Sequence, residues 1–287
     1  MSVVKYLNNL EDLSGKEILV TGGTSGIGLS IIKHLLYKHA KVVVLARNLT
    51  KAEEVKKSLL AIYPNNPIAI IQYDQSDNQS VLSAIEVIIK QHPHFYALIL
   101  NAGVYQTRRR LQYVDGYPQT FKTNFVGLAY FLDNLLPKLQ EQHRFIIQGS
   151  LVAGFHLKHI NSLKDKNISA WQLYLISKSG VESLFYHYSL SNNEKFTFYL
   201  VEPGLTSTDI IRDFPSPIRQ MGKVFLKVVS HSNDKAALTA LKALETTTPK
   251  NSFIVPRGLG TYLGYPKIKR FPKKRQRPDL YELLQKE

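Results

Sequence analysis

Over its first 200 residues the chain alternates between two periods, and that alternation leaves few folds open. Short apolar, β-branched runs occur at Glu17–Thr21, Lys41–Leu45, Ile68–Tyr73, Ala97–Asn101, Arg144–Gln148 and Phe196–Val201. Runs of this kind read as strands buried on both faces of a parallel sheet. Between them the apolar residues recur at helical spacing, as with Ile27, Ile31 and Leu35, or Leu184 and Tyr188. Strand–helix–strand repetition demands right-handed crossovers, and so predicts a single doubly wound α/β sheet, mostly parallel, with helices on both faces. A further run at Ser252–Val255 brings the expected number of strands to seven. No repeat or linker divides the chain, so residues 1–287 read as one domain, with 257–287 as its basic C-terminal tail.

Composition narrows the chemistry. Hydrophobic residues make up 44% and charged residues 21%, which excludes a disordered or fibrous chain. There is no cysteine, so disulfide frameworks, cysteine–zinc sites, iron–sulfur clusters and cysteine nucleophiles are excluded. That absence fits a reducing cytosol. The first residues lack the apolar core of a signal peptide, and no apolar run reaches the roughly 18 residues of a membrane span. The expected location is therefore the cytoplasm. Lys and Arg number 37 against 22 Asp and Glu, a net charge of +15 that favours anionic partners.

The strongest local motif is Thr21-Gly22-Gly23-Thr24-Ser25-Gly26-Ile27-Gly28, placed between the first strand and a helix of apolar period. Glycines permit the sharp turn and the close approach of backbone to a phosphate, and the helix start offers unpaired N–H groups to an anion. The strand before and the helix after supply the context that a lone glycine-rich turn lacks. The second strand ends at Ala46 and is followed by Arg47, where an acid would be needed to hold a free ribose 2′-hydroxyl. A guanidinium suits a 2′-phosphate instead. This favours NADP(H) over NAD(H), against the plainer reading of Arg47 as a solvated arginine.

Tyr174-Leu175-Ile176-Ser177-Lys178 lies in a stretch of helical pattern, which puts Tyr174 and Lys178 on one face. A phenol titrates too high for efficient acid–base work at neutral pH, and a neighbouring ammonium is expected to lower it. The spacing alone is common; the order of motifs along the chain is not. Asp74 follows the third strand, Asn101-Ala102-Gly103 the fourth, Asn124 lies in the next helix, Ser150 follows the fifth strand, and Pro203-Gly204 with Thr208 follow the sixth.

With these motifs, roughly residues 15–210 resemble the short-chain dehydrogenase/reductase family. The resemblance implies that Tyr174 exchanges a proton with the substrate oxygen, and that Ser150 hydrogen-bonds that oxygen. It implies that Lys178 binds the nicotinamide ribose, and that Asn124 holds a water relaying protons from Lys178. Gly22, Thr24, Ser25, Gly26, Ile27, Gly28, Arg47, Asp74, Asn101, Ala102, Gly103, Tyr174, Lys178, Pro203, Gly204 and Thr208 are then the cofactor-binding residues. No metal is implied. The gap between Ser150 and Tyr174 is 24 residues, against about 13 in common members, and the excess falls in the polar insert His156–Ser169. That insert, with Asp115-Gly116-Tyr117, looks like the retinol-dehydrogenase-like branch, which includes reductases of lipophilic carbonyls and the protochlorophyllide reductases.

The implied function is NADP(H)-dependent hydride transfer between the nicotinamide and a carbonyl or alcohol, the substrate being a small, lipophilic molecule. Substrate contacts are expected from the loop after Gly103, the insert, Trp171 and the apolar stretch Thr208–Val228. A non-catalytic NADP(H)-sensing or scaffold protein is the alternative. A nucleotide-sugar epimerase fits less well, because its usual glycine spacing and longer substrate region are missing. Homologous folds suggest a homodimer or homotetramer. His156 and His159 lack a third metal ligand at useful spacing, and Arg108–Arg110 reads as a solvated charge run. In the tail, Lys267, Lys269, Arg270, Lys273, Lys274, Arg275 and Arg277 interleave with Tyr265, Ile268 and Phe271. That tail reads as irregular, and as solvated or folded back; contact with an anionic membrane surface is the second reading. Nucleic acid is the least favoured, since no nucleic-acid motif accompanies the charge.

Overall fold

The computed structural model describes residues 1–106, 111–154, 164, 168–191, 194–206, 232–258 and 263–286. Its centre is an eight-stranded sheet. In chain order the elements are helix α1 (Val3–Asn8), strand β1 (Glu17–Thr21), α2 (Gly26–Tyr37), β2 (Lys41–Ala46), α3 (Leu49–Leu60), β3 (Ile68–Gln72), α4 (Asn78–Gln91) and β4 (Ala97–Leu100). A small hairpin follows, β5 (Tyr113–Val114) and β6 (Tyr117–Pro118), then the short helix α5 (Gln119–Phe121), a π-helical turn at Lys122–Val126 and α6 (Gly127–Leu135). Strand β7 (His143–Gln148), the long helix α7 (Ala170–Leu190), β8 (Phe196–Val201), β9 (Phe253–Pro256) and β10 (Pro266–Lys269) complete the sheet, and Pro278–Lys286 forms a C-terminal helix.

The strand order is β10-β9-β8-β7-β4-β1-β2-β3, with every pairing parallel except β10 on β9. The chain winds outward from β1 through β2 to β3, then returns to β4 on the other side of β1. This reversal leaves a crevice beyond the carboxyl ends of β1 and β4, the place where open α/β sheets bind ligands. Two apolar layers cover the sheet. One packs α4, α6, α7 and the C-terminal helix, with Phe121, Phe125, Phe131 and Phe185 in its centre. The other packs α1, α2, α3 and residues 237–244, around Ile31, Leu35 and Leu241.

The sheet has one strand more than the seven expected, and the addition comes from the tail that reads as irregular. Pro-Lys-Ile-Lys has no apolar period to mark it as a strand. It pairs antiparallel at the sheet edge, from Pro266 opposite Pro256 to Lys269 opposite Phe253, with three of its four residues exposed. Lysines facing solvent and a proline at the first position are tolerated at an edge and also discourage further strand addition. The tail is folded back throughout its described length. Tyr265 stacks on Tyr6 with ring centroids 5.1 Å apart, Phe271 packs edge-on against Phe185 and Phe253, and Leu280 is buried. Arg275 is therefore not part of an exposed basic cluster; it is buried with Glu182 and Glu202. Among the described residues no helix is long and apolar enough to cross a membrane.

Candidate active site

A cleft of about 740 Å³ opens at the carboxyl ends of β1, β2, β4, β7 and β8. One end is built by the turn between β1 and α2. Gly22 and Gly26 take left-handed backbone angles, φ 68° and 55°. A side chain on Gly28 would place its Cβ 2.2 Å from the Gly22 carbonyl oxygen and 2.6 Å from Asn101 Nδ2, so only hydrogen fits. Asn101 donates from its side chain to the carbonyls of Thr21 and Gly22, both at 3.2 Å. The Thr21 hydroxyl in turn accepts the backbone N–H groups of Asn101 and Ala102 at 3.0 Å. These bonds fix the β1 turn to the end of β4. Ser25 caps α2 by backbone position without a side-chain hydrogen bond, which leaves the helix's first N–H groups and its positive dipole end facing the cleft. A wall of backbone where no Cβ fits, beside an uncapped helix start, suits the pyrophosphate of a dinucleotide.

At the end of β2, Arg47 lies with its Nε 4.0 Å from the Asp74 carboxylate. Asp74 is oriented by the backbone N–H and hydroxyl of Ser76, at 2.9 and 2.6 Å. Asn48 and Lys51, the cap and first turn of α3, complete this lip of the cleft. Sequence reasoning missed both; a basic residue one turn into the helix after Arg47 was the available signal.

The other end gathers Asn124, Ser150, Tyr174 and Lys178. Ser150 follows β7, while Tyr174 and Lys178 are buried one turn apart on α7, whose start is capped by Ser169. The Tyr174 and Ser150 hydroxyls are near neighbours at this end of the cleft. The Tyr105 and Tyr174 rings meet edge-to-face with centroids 5.2 Å apart, and the Trp171 ring stands 6.2 Å from Tyr174. Tyr105 was not foreseen. A Cβ at Gly103 would come within 3.3 Å of both Lys178 Nζ and Asn124 Oδ1, so these two groups line the same wall.

Asn124 sits in the π-helical turn, where the extra residue per turn tips its amide inward. Its Oδ1 accepts the Val104 N–H at 2.7 Å, and its Nδ2 donates to the Val104 carbonyl at 2.9 Å and to Ser177 Oγ at 3.0 Å. Helix α7 can approach this turn because Gly180 faces the Phe125 ring, where a Cβ would lie 2.5 Å away. Gly204, at φ 77°, and Pro203 form the wall beyond β8.

Titration differs from the expectation for Tyr174. Burial pushes its phenol up to about 12, the neighbouring Ser150 hydroxyl pulling the other way. The same burial brings Lys178 down to about 8, opposed by the Glu182 carboxylate. Desolvation of the phenolate outweighs the nearby ammonium that the sequence suggested would dominate. Tyr174 is thus fully protonated at neutral pH, the form needed to donate a proton to a carbonyl oxygen.

Thr208, Arg108–Arg110, His156, His159, most of the insert and the stretch 208–228 lie outside the described residues. Among the described residues no group of acidic or histidine side chains is placed to hold a metal ion.

The family model for short chain dehydrogenases matches residues 16–218. The short chain dehydrogenase rstn4 of Aspergillus nomiae is 35% identical over 129 residues, covering 45% of this chain and 35% of that protein. Human retinol dehydrogenase 11 is 28% identical over 206 residues, 70% of this chain and 64% of that one. The chain therefore spans about a third of the first relative's length and just under two thirds of the second's. A short chain dehydrogenase from Burkholderia cenocepacia, solved in complex with NADP, superposes with a TM-score of 0.66 over 85% of this chain and 96% of its own, at 21% identity. That likeness carries the fold, and the family model carries the membership. A glycine turn at the β1–β4 crevice, and a buried Tyr–Lys pair facing a serine, sit where that fold binds its ligands; the chain belongs to the short-chain dehydrogenase family.

Proposed function

We propose that the protein is an NADP(H)-dependent oxidoreductase that reduces a lipophilic aldehyde or ketone, reversibly, to the alcohol. One observation carries this reading: Ser150, Tyr174 and Lys178 line the same cleft as the open start of α2. NADP(H), when bound, supplies or takes the hydride. The turn at Gly22–Gly28 would hold its pyrophosphate, Asp74 its adenine, and the Asn101–Gly103 backbone, Pro203, Gly204 and Lys178 its nicotinamide half. Ser150 donates a hydrogen bond to the substrate oxygen and sets its distance from the Tyr174 hydroxyl. Tyr174 gives that oxygen its proton in reduction and accepts it in oxidation. Lys178 then favours the phenolate and, with Asn124 beside it, passes a replacement proton from solvent. Val104, Leu151, Val152, Trp171 and Leu205 give the cleft lining an apolar part, which favours a lipophilic carbonyl.

The phosphate preference rests on Arg47, seconded by Lys51. In Arg47→Ala, a lost charge-assisted contact of roughly 1.5–3 kcal/mol is expected to raise the KM for NADPH by about 10- to 100-fold. The KM for NADH should barely move. Equal effects on the two cofactors would remove the basis for the preference.

The pH profile follows from Lys178. Its pKa is depressed from the usual lysine range to about 8, so the ammonium is present through neutral pH and is lost as pH rises past that value. The kcat/KM for carbonyl reduction is expected to stay level below neutrality and to decline above about pH 8. A profile that rises through this range would contradict the assignment.

A further inference from the structure

Directly beneath the site lies a set of buried charges that the proposed chemistry does not use. Glu182 and Glu202 are completely buried, and between them lies Arg275, 9% exposed, reaching in from the C-terminal segment. Arg275 Nε donates to Glu182 Oε2 at 2.8 Å, and Nη2 donates to Glu182 Oε1 and to Glu202 Oε1. The same Nη2 reaches the Ser150 carbonyl oxygen at 3.3 Å. The guanidinium lies 5.2 Å from the centre of the Phe253 ring and 6.0 Å from that of Phe271.

Each anchor belongs to a different part of the site. Ser150 is the hydroxyl donor itself. Glu182 continues the face of α7 that carries Tyr174 and Lys178, one turn beyond the lysine. Glu202 immediately precedes Pro203 and Gly204. With Lys178 the set contains two cations and two carboxylates, a balanced charge in a medium that tolerates no excess. Burial pushes Glu182 up, against the pull of Arg275 and Lys178, and raises Glu202 against the pull of Arg275. The second oxygen of Glu202 has no hydrogen-bond partner among the described residues, so this arrangement is not the cheapest way to fill the space. Replacing a buried ion cluster by apolar or neutral groups is often neutral or stabilising. Stability alone is therefore a poor reason for the arrangement.

We propose that Arg275 is a positioning residue for the Ser150–Tyr174–Lys178 chemistry, tying the end of β7, helix α7 and the end of β8 into one register from the C-terminal segment. The inference rests on the activity proposed above. It makes the C-terminal segment a working part of the site, through its contact with the Ser150 backbone and through Glu182, whose carboxylate supports the ammonium of Lys178. Phe271, Leu280 and the C-terminal helix hold that segment to the core independently, so loss of the guanidinium should leave the segment docked.

The test uses the full chain and a carbonyl compound that the wild type reduces with NADPH. In Arg275→Met, kcat is expected to fall about 100-fold, the scale of a misplacement near 1 Å, with NADPH affinity and carbonyl KM changing far less. Arg275→Lys should recover part of the loss. Because Arg275→Met strands two buried carboxylates and could fail to fold, the triple variant Arg275→Met/Glu182→Gln/Glu202→Gln is made alongside it. This variant is expected to melt at or above the wild-type temperature and still keep the kcat deficit. Its alkaline limb should also lie at lower pH, since Lys178 loses Glu182 while Tyr174 keeps its surroundings. Lys274→Ala, an exposed neighbour, should match the wild type. A folded Arg275→Met or triple variant with wild-type kcat and pH profile would overturn the proposal and leave the enzymatic reading intact. A wild type that binds NADPH but reduces no carbonyl in a broad panel would overturn both.

Discussion

Tyr174→Phe is expected to lose turnover on the order of 10²- to 10⁴-fold while binding NADPH as the wild type does. The substitution removes one oxygen and nothing else. The ring keeps its edge contact with Tyr105 and its neighbour Trp171, and the backbone of α7 is untouched. The Ser150 hydroxyl loses a polar neighbour, for which at most about 1 kcal/mol of stability is the expected cost. Steady-state oxidation of NADPH, with a parallel titration of cofactor binding, separates the two effects. Turnover retained in the variant would show that the proton comes from elsewhere.

The second large effect is expected at the phosphate turn. In Gly28→Ala a methyl group would fall 2.2 Å from a backbone carbonyl and 2.6 Å from the Asn101 amide that ties the turn to β4. Neither neighbour is the free end of a flexible side chain, so the turn itself must shift. The expected cost is about 1–3 kcal/mol of stability and roughly a 10- to 100-fold loss of NADPH affinity. Gly26→Ala makes the comparison informative. No heavy atom of the described residues lies within 4 Å of its Cβ position, and only the positive φ resists it. Its expected cost is about 1 kcal/mol. Calorimetric titration and thermal melts of the two variants check the contrast; equal losses would mean that close packing of the turn is irrelevant.

What could be read before any coordinates were known follows from which contacts are local. The six long parallel strands announced themselves because burial on both faces demands unbroken apolar runs such as Val42–Leu45. The order of the motifs along the chain placed Gly22, Asn101 and Ser150 at strand ends and Tyr174 in the helix that follows, and the sheet topology then brings them to one crevice. Strand β10 was hidden because an edge strand needs no apolar period. Arg275 was hidden for a different reason: its partners lie 93 and 73 residues away, and it stands in a run of exposed lysines that looks like a solvated face. Asn124 could be placed in a helix, but not in a π-helical turn bonded to the Val104 backbone. The titration of Tyr174 was misjudged because a sequence shows the neighbouring ammonium and does not show the loss of water.

The most direct test of the central claim is the transfer of deuterium from NADPH labelled at the nicotinamide C4 to a carbonyl substrate, followed by mass spectrometry of the alcohol. The account predicts that the wild type delivers the label to the carbinol carbon, and that Tyr174→Phe, with cofactor bound, delivers it at least about 100-fold more slowly. Label transfer undiminished in Tyr174→Phe, or its absence from every product formed by a wild type saturated with labelled NADPH, would contradict it.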